Sequence, residues 1–115
     1  LGATGGRFDH TLANLQTVAY GLEQGVFIMI ADQNNMITML RDSCVSMPRM
    51  EGYYLSIFSY TPCCEGITLT GVKYPLRQAK LTNWTTLGLS NEILEETAQI
   101  SVEKGTLVVV VSKDR

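Results

Sequence analysis

The sequence predicts a mostly β protein: an antiparallel β-sandwich preceded by a residual βαβ piece of an α/β domain. Two observations support this fold class. Apolar residues near the start recur with helical spacing and lead into a short continuous apolar run, whereas from Asp32 onward short β-type segments alternate with turn signals. We therefore predict two parts, residues 1–34 as the end of an α/β domain and residues 35–115 as the sandwich.

The composition excludes several classes of protein. The 115 residues are 45% hydrophobic and carry a formal net charge of -2, and their Lys and Arg residues are scattered, so a nucleic-acid partner is not expected. The longest apolar run, residues 107–111, is too short to cross a bilayer, so no membrane association is expected either. Three cysteines, two of them adjacent and none in a CxxC pair, indicate free thiols in a reducing cytoplasm.

The first part of the chain predicts one helix and one buried strand. The helical spacing precedes Gly25, a plausible stop, and is carried by Leu12, Leu15, Ala19 and Leu22. Residues 26–31 are then apolar without alternation, which is typical of a strand buried on both faces of a parallel sheet, and residues 1–3 would end the preceding strand. Because such a strand needs further neighbours and the chain begins with Leu, we expect a fragment of a larger protein.

The second part predicts several short strands. They are expected at residues 36–40, 43–47, 53–60, 66–72, 97–103 and 106–112. The last two segments are separated by only Lys104 and Gly105, a spacing that predicts a tight hairpin. Short strands at this spacing are typical of an antiparallel sandwich.

The stretch TGGRFDH suggests a strand-to-helix turn that faces an anion. Gly5 and Gly6 allow close backbone approach, the helix N-terminus favours negative charge, and Arg7 is a bidentate donor suited to phosphate. Asp9 could cap the helix, or orient a metal-bound water or a substrate hydroxyl. The alternative is an ordinary turn with a capping Asp9 and a solvated Arg7. His10, the single histidine, is expected to be structural rather than a base.

Residues 71–93 predict a long structured loop, too irregular for a strand or a helix. Within it Ser90 and Asn91 offer both donors and acceptors, as an aminopyrimidine edge requires, although Asx and Ser turns would explain them equally well. We expect Trp84 in the core. The acidic cluster of Glu92, Glu95 and Glu96 is expected to be a solvated face rather than a metal site.

Three stretches, in this order and separation, resemble the C-terminal half of bacterial thiamine pyrophosphokinases. They are GGRFDH with Asn14, TGVKYPL from Thr70 to Leu76, and TLGLSNE from Thr86 to Glu92. The resemblance covers essentially the whole chain. It implies a two-domain enzyme that works as a homodimer and transfers a pyrophosphoryl group from ATP to the hydroxyl of thiamine, releasing AMP, with Mg²⁺.

The same resemblance implies roles for particular residues. Arg7 and Asp9 would lie at the active site, with Gly5, Gly6 and Arg7 near the phosphates. The thiamine would be bound in a cleft between subunits by Ser90 and Asn91, together with Gly88 and Thr86. Some relatives place an aromatic residue just after the Ser-Asn pair, where this chain has Leu94, so the partner of the thiamine ring is not identified.

The family's acidic metal motif belongs to the N-terminal domain, so no metal ligands are expected in these residues and the isolated chain is predicted to be inactive. Two other classes of function remain open from the sequence. One is a non-catalytic sandwich that binds a small heterocycle, and the other is a purely structural dimerisation domain.

Overall fold

The computed structural model describes residues 8–85, 88 and 90–113. This part of the chain forms one helix and eight strands. Their bounds are α1 Phe8–Glu23, β1 Met29–Ala31, β2 Asn35–Arg41, β3 Cys44–Pro48, β4 Tyr53–Ser59, β5 Cys63–Thr70, β6 Leu76–Thr82, β7 Thr97–Ser101 and β8 Thr106–Lys113. None of the described helices is long and apolar enough to span a bilayer.

The strands form two four-stranded sheets. The first sheet has the order β1-β2-β8-β4 and the second has the order β3-β7-β5-β6. Every strand pair is antiparallel in the described part of the chain. The predicted antiparallel sandwich is therefore confirmed, and the predicted strands after residue 35 all lie within one or two residues of an observed strand, except at the start of β5.

The main core lies between the two sheets. Side chains from both sheets point into it, among them Ile57 and Val109 from the first sheet and Ile67 and Ile100 from the second. Each of these side chains is almost completely buried. Burying an aliphatic side chain of this size contributes about 1.5–3 kcal/mol, so this layer supplies most of the stability of the sandwich.

A second apolar cluster covers the opposite face of the first sheet. Helix α1 packs there, and its Val18 lies with Met39 of β2 and Val108 of β8, all three buried. This confirms the helix that the apolar spacing predicts. The helix ends before Gly25, which has a φ of 80°, a left-handed conformation that favours glycine.

Residues 26–31 differ from the prediction. Only Met29–Ala31 forms a strand, and this strand pairs antiparallel with β2 at the edge of the first sheet, so the predicted parallel strand buried on both faces is wrong. The turn at Asp32 reverses the chain directly onto β2. Val26 and Phe27 are each 51% exposed. Residues 1–3 lie outside the described residues, and the domain boundary after residue 34 stays a prediction.

The predicted hairpin at Lys104 and Gly105 is also wrong. The strands on either side, β7 and β8, lie in different sheets, so this turn carries the chain from one sheet to the other. Gly105 has a φ of 112°, and a Cβ atom there would lie 2.8 Å from the carbonyl oxygen of Cys63. Only glycine fits such a crossing without strain.

The predicted loop at residues 71–93 contains a strand. β6 pairs with β5 at the edge of the second sheet. Register shifts between these two strands interrupt the regular alternation of inward-facing and outward-facing residues. Arg77, Gln78 and Lys80 are exposed there, which hid the strand from hydrophobic patterning. Trp84 follows β6 and is 83% exposed, so its predicted place in the core is wrong.

Candidate functional site

Three of the predicted ligand residues, Gly88, Ser90 and Asn91, lie in a segment that borders β4, an edge strand of the first sheet. We call residues 88 and 90–93 the Ser-Asn segment. The backbone N–H of Leu55 donates to the carbonyl of Asn91 at 2.8 Å, and that of Asn91 donates to the carbonyl of Leu55 at 2.7 Å. The N–H of Ile57 donates to the carbonyl of Gly88 at 3.0 Å. The segment therefore pairs with the free edge of β4.

Gly88 is buried where the segment comes closest to β4. A Cβ atom at this position would lie 2.3 Å from Cγ1 of Ile57 and 2.9 Å from its carbonyl oxygen. Such distances are too short for any side chain, so a larger residue would push the segment away from the strand. Gly88 thus has a clear role in seating the segment.

Ser90 is exposed and has a φ of 58°, in the left-handed region that non-glycine residues seldom adopt. Such a conformation costs on the order of 1–3 kcal/mol and persists only where neighbouring contacts hold it. One such contact is the N–H of Ser90, which donates to Oγ of the buried Ser56 at 2.9 Å. The geometry presents Ser90 to solvent in a fixed conformation.

Asn91 is 5% exposed, and its amide bonds mainly to the backbone of Tyr74. Oδ1 accepts from the N–H of Tyr74 at 3.0 Å and from the N–H of Glu92 at 2.9 Å. Nδ2 donates to the carbonyl of Tyr74 at 2.8 Å. Since a side-chain amide has two acceptor lone pairs and two N–H donors, one N–H is left to reach a ligand. A direct contact between Asn91 and a ligand stays a prediction, limited to that donor.

Tyr74 is brought to the Ser-Asn segment by a second short stretch of chain. Val72 pairs with Ile93, and the N–H of Lys73 donates to the carbonyl of Glu92 at 2.8 Å. The side chain of Lys73 lies with its Nζ atom 5.5 Å from the centroid of the Tyr74 ring and 3.9 Å from a carboxylate oxygen of Glu92. Tyr74 belongs to the TGVKYPL motif, but the motif alone did not predict it as a site residue.

The other predicted site residues are not brought to this segment. Gly5, Gly6, Arg7 and Thr86 lie outside the described residues. Asp9 lies in the first turn of α1, where its carboxylate accepts from the N–H of His10 at 2.9 Å. Because α1 packs on β2 and β1 whereas Ser90 borders β4, helix and Ser-Asn segment lie toward opposite edges of the first sheet.

The Ser-Asn segment and helix α1 contact the same face of the first sheet. Ser56, which accepts from the N–H of Ser90, lies on that face. Its neighbours Phe58 and Val110 on this face both belong to the cluster beneath α1. A ligand that reaches from Ser90 toward the helix would therefore cross a single surface. Among the residues that the structure describes, no group of three or more His, Cys, Asp or Glu side chains could hold a metal ion.

A separate cleft of about 320 Å³ opens at the C-terminal end of α1. Tyr20, Arg41 and Tyr60 are among the side chains that line it. The guanidinium of Arg41 lies 3.5 Å from the carboxylate of Glu23, and both side chains are well exposed, so this ion pair contributes little. Neither Ser90 nor Asn91 lines this cleft.

The two antiparallel sheets, with the Ser-Asn segment along β4, define a β-sandwich class of domain. The family model described as the thiamin pyrophosphokinase vitamin B1 binding domain matches residues 42–107, more than half of the chain. The chain belongs to the thiamin pyrophosphokinase family. The resemblance found in the sequence is thereby confirmed.

Known proteins resemble the chain along almost all of its length. It is 34% identical over 114 residues to the thiamine pyrophosphokinase of Bacillus subtilis strain 168, a match that covers 98% of this chain and 53% of that protein. The chain thus spans about half the length of the curated relative.

Solved structures agree with this match. The crystal structure of the Bacillus subtilis thiamine pyrophosphokinase has a TM-score of 0.90 at 34% identity, over 97% of this chain and 53% of the other. For a thiamin pyrophosphokinase family protein from Enterococcus faecalis the TM-score is 0.82 at 37% identity, over 99% and 54% of the two chains. The thiamin pyrophosphokinase of Candida albicans, 20% identical over 97% and 42% of the two chains, shares the fold with a TM-score of 0.77.

Proposed function

We propose that this chain supplies the thiamine-binding part of a thiamine pyrophosphokinase. The observation that carries the proposal is the vitamin B1 binding domain match, which spans β4 and the Ser-Asn segment beside it. The substrates would be thiamine and ATP, and the products thiamine diphosphate and AMP. We further propose that the active protein is a cytoplasmic homodimer.

The reaction needs positioning and charge neutralisation more than covalent help. The hydroxyl oxygen of thiamine would attack the β-phosphorus of ATP, the bond from that phosphorus to the bridging oxygen of AMP would break, and the hydroxyl proton would pass to a base. We propose Asp9 as the group that orients this hydroxyl, and Gly5, Gly6 and Arg7 as the donors around the phosphates. A helix N-terminus follows them, which favours anions.

Mg²⁺ is expected from the family resemblance, but the described residues do not fit it. Mg²⁺ prefers carboxylate oxygens and phosphates in octahedral geometry, and among the described residues no group of three or more His, Cys, Asp or Glu side chains could hold a metal ion. Its ligands are proposed to come from residues outside the described set.

For thiamine, we propose binding by the Ser-Asn segment, with Ser90 as the exposed polar contact and Asn91, Gly88 and Thr86 around it. The strained conformation of Ser90 supports this proposal, since strain of this kind is concentrated at functional sites. The buried hydrogen bond from Ser90 to Ser56 supports it as well, because it keeps the exposed residue in one orientation.

The test is a calorimetric titration of the intact protein with thiamine. We expect measurable binding by the wild type and about tenfold weaker binding by Ser90→Ala, the effect of one lost hydrogen bond. Ser46→Ala is the matched control, because Ser46 bonds to Gln99 on the exposed face of the second sheet. Absence of binding by the wild type, or equal affinity of wild type and Ser90→Ala, would contradict the proposal.

A second experiment addresses catalysis. Because the family resemblance assigns the acidic metal motif to the N-terminal domain, we expect the 115-residue chain alone to release no AMP from ATP in the presence of Mg²⁺ and thiamine. Release of AMP with formation of thiamine diphosphate would contradict this. Thiamine binding without AMP release fits both a kinase part and a non-catalytic binding module, and the upstream reading frame would distinguish them.

A further inference from the structure

We propose that Ser56 of β4 is a positioning residue for thiamine binding: it holds Ser90 in a one-residue bulge that aims the Ser90 side chain at the ligand, and it does not touch the ligand itself. This role rests on the proposed thiamine-binding function and adds to it a residue that lies outside all three sequence motifs. The pairing of the Ser-Asn segment with β4, the conformation of Ser90 and the surroundings of Ser56 support it.

The Ser-Asn segment pairs with β4 out of regular register by one residue. Leu55 and Asn91 exchange both backbone hydrogen bonds, at 2.8 and 2.7 Å, as a hydrogen-bonded antiparallel pair does. Two residues farther along β4, the N–H of Ile57 donates to the carbonyl of Gly88, which lies three residues before Asn91. The segment therefore has two residues where β4 has only Ser56, and this arrangement is a β-bulge.

Ser90 is one of the two residues in the bulge. Its φ of 58° lies in the left-handed region, a conformation that one common type of bulge usually gives to glycine. A glycine at position 90 would adopt this conformation without strain but would offer no side chain. The serine instead presents an exposed hydroxyl at the bulge, in a conformation that needs support from a neighbouring residue.

Ser56 is the residue of β4 that lies opposite the bulge. Its Oγ accepts from the N–H of Ser90 at 2.9 Å, and the two residues are 34 apart in the chain. A bulge leaves a backbone group without its usual partner on the facing strand, because the regular ladder is interrupted there. The side chain of Ser56 therefore replaces the missing backbone acceptor and restrains Ser90.

The surroundings of Ser56 fit this role. Ser56 is 7% exposed, and its neighbours on the same face of the sheet include the apolar side chains of Phe58 and Val110. A hydroxyl among apolar side chains is favourable only when it is hydrogen-bonded, and the N–H of Ser90 supplies that bond. Because so little of Ser56 is exposed, we assign it to positioning and not to ligand contact.

The other serine of β4 has a different set of contacts. Ser59 is also 7% exposed, but its hydroxyl donates to the carbonyl of Thr61 at 2.6 Å and lies 3.2 Å from Sγ of Cys64. Neither of these partners belongs to the Ser-Asn segment. The two serines thus match in strand and burial and differ in whether they bond to Ser90, which makes Ser59 a matched control.

The first test compares Ser56→Thr and Ser56→Val by thiamine calorimetry on the intact protein. The two new side chains have the same shape, but only threonine keeps a hydroxyl that can accept from the N–H of Ser90. We expect Ser56→Val to bind thiamine about five- to tenfold more weakly than Ser56→Thr, the effect of one hydrogen bond. Ser59→Ala is the control, and its affinity should stay within about twofold of the wild type.

The second test asks whether Ser56 acts through Ser90. In a Ser90→Gly background the left-handed conformation needs no support and there is no hydroxyl to aim. Adding Ser56→Val to that background should therefore weaken thiamine binding by less than about twofold. A loss as large as in the otherwise wild-type protein would show that Ser56→Val loosens the sandwich generally, and it would overturn the positioning role.

Hydrogen exchange provides a measurement that needs no ligand. We expect the backbone N–H of Ser90 to exchange about five- to tenfold faster in Ser56→Val than in Ser56→Thr, since only the former lacks its acceptor. The N–H of the buried Val109 in the central strand β8 is the reference and should exchange at similar rates in both variants. Equal exchange of the Ser90 N–H in the two variants would overturn the restraint on Ser90.

The outcomes distinguish the positioning role from the proposed function. If the wild type binds thiamine and Ser56→Val binds within about twofold of Ser56→Thr, the role of Ser56 is overturned and the proposed function stands. If the wild type does not bind thiamine, the proposed function fails, and the role of Ser56 in binding this ligand fails with it.

Discussion

The two sheets of the sandwich differ in how many of their faces are covered. The first sheet has the main core on one face and helix α1 on the other, whereas in the described part of the chain the second sheet has only the core. In β8 of the first sheet, successive residues from Thr106 to Val109 are all buried. In β7 of the second sheet, Ala98 and Ile100 are buried while Thr97 and Gln99 are exposed.

This difference teaches how to interpret a run of apolar residues. A strand that is apolar without alternation has both faces covered, and such strands are common in parallel sheets. Here the same pattern occurs in β8, an antiparallel strand, because a single helix covers the outer face of its sheet. The pattern therefore reports coverage of both faces and not the direction of the neighbouring strands.

The inner face should be the most sensitive region. Ile100→Ala removes a fully buried side chain from the layer between the sheets, and we expect a loss of about 3–4 kcal/mol in the free energy of unfolding. Urea denaturation followed by circular dichroism measures this. Gln99→Ala on the exposed face of the same strand is the control, with an expected change within about 0.5 kcal/mol. Equal costs for the two variants would contradict the one-sided core.

The outer face of the first sheet should behave as a second core. Met39 is fully buried beneath α1, so Met39→Ala should cost about 2–3 kcal/mol in the same assay, somewhat less than Ile100→Ala, because the helix can settle toward the space left by a flexible side chain. Gln99→Ala, on the exposed outer face of the second sheet, is the control for this prediction about the covered outer face of the first sheet. A cost for Met39→Ala below about 0.5 kcal/mol would mean that α1 does not cover this face.

The edge of the first sheet has its own sensitive point. Gly88→Ala should cost about 1–3 kcal/mol and weaken thiamine binding, because the added Cβ meets Ile57 and pushes the Ser-Asn segment off β4. A double-mutant cycle with Ile57→Ala, which removes the Cγ1 atom that the added Cβ meets, should show partial rescue of stability. Strictly additive costs would contradict the proposed contact.

The smallest effect is expected at the turn between β1 and β2. The backbone N–H of Asn34 lowers the pKa of Asp32 from its usual value of 3.8, and the N–H and side chain of Asn35 lower it further. A lowered pKa in the folded state means that the stabilisation is present above the unfolded-state pKa and is lost as the pH falls through the folded-state pKa.

Asp32→Ala should therefore be less stable than the wild type at pH 7, and the difference should shrink as the pH falls below about 4. Because Asp32 is exposed, we expect the difference to stay within a few tenths of a kcal/mol. Urea denaturation at pH 7 and pH 3 measures it. A difference that grows toward acid pH would contradict the cause assigned to the shift.

Part of the site could be predicted from the sequence. The residue types of Ser90 and Asn91 and the motif around them indicated a ligand-binding segment. The hydrogen bonds from Asn91 to Tyr74 and from Ser90 to Ser56 could not be predicted, because each joins residues far apart in the chain. The exposure of Trp84 was missed for a related reason: a hydrophobic residue type predicts burial on average, while the position of its turn decides the individual case.

The sequence by itself determined the helix before Gly25, most of the strands of the sandwich, and the family resemblance. These properties depend on spacing and residue type within short windows, where the geometry of a helix or a strand repeats every few residues. Only the tertiary structure decided that the turn at Lys104 and Gly105 joins two sheets and that β1 runs antiparallel to β2. Strand partners are chosen by which distant surfaces can be buried together, and no local pattern encodes that choice.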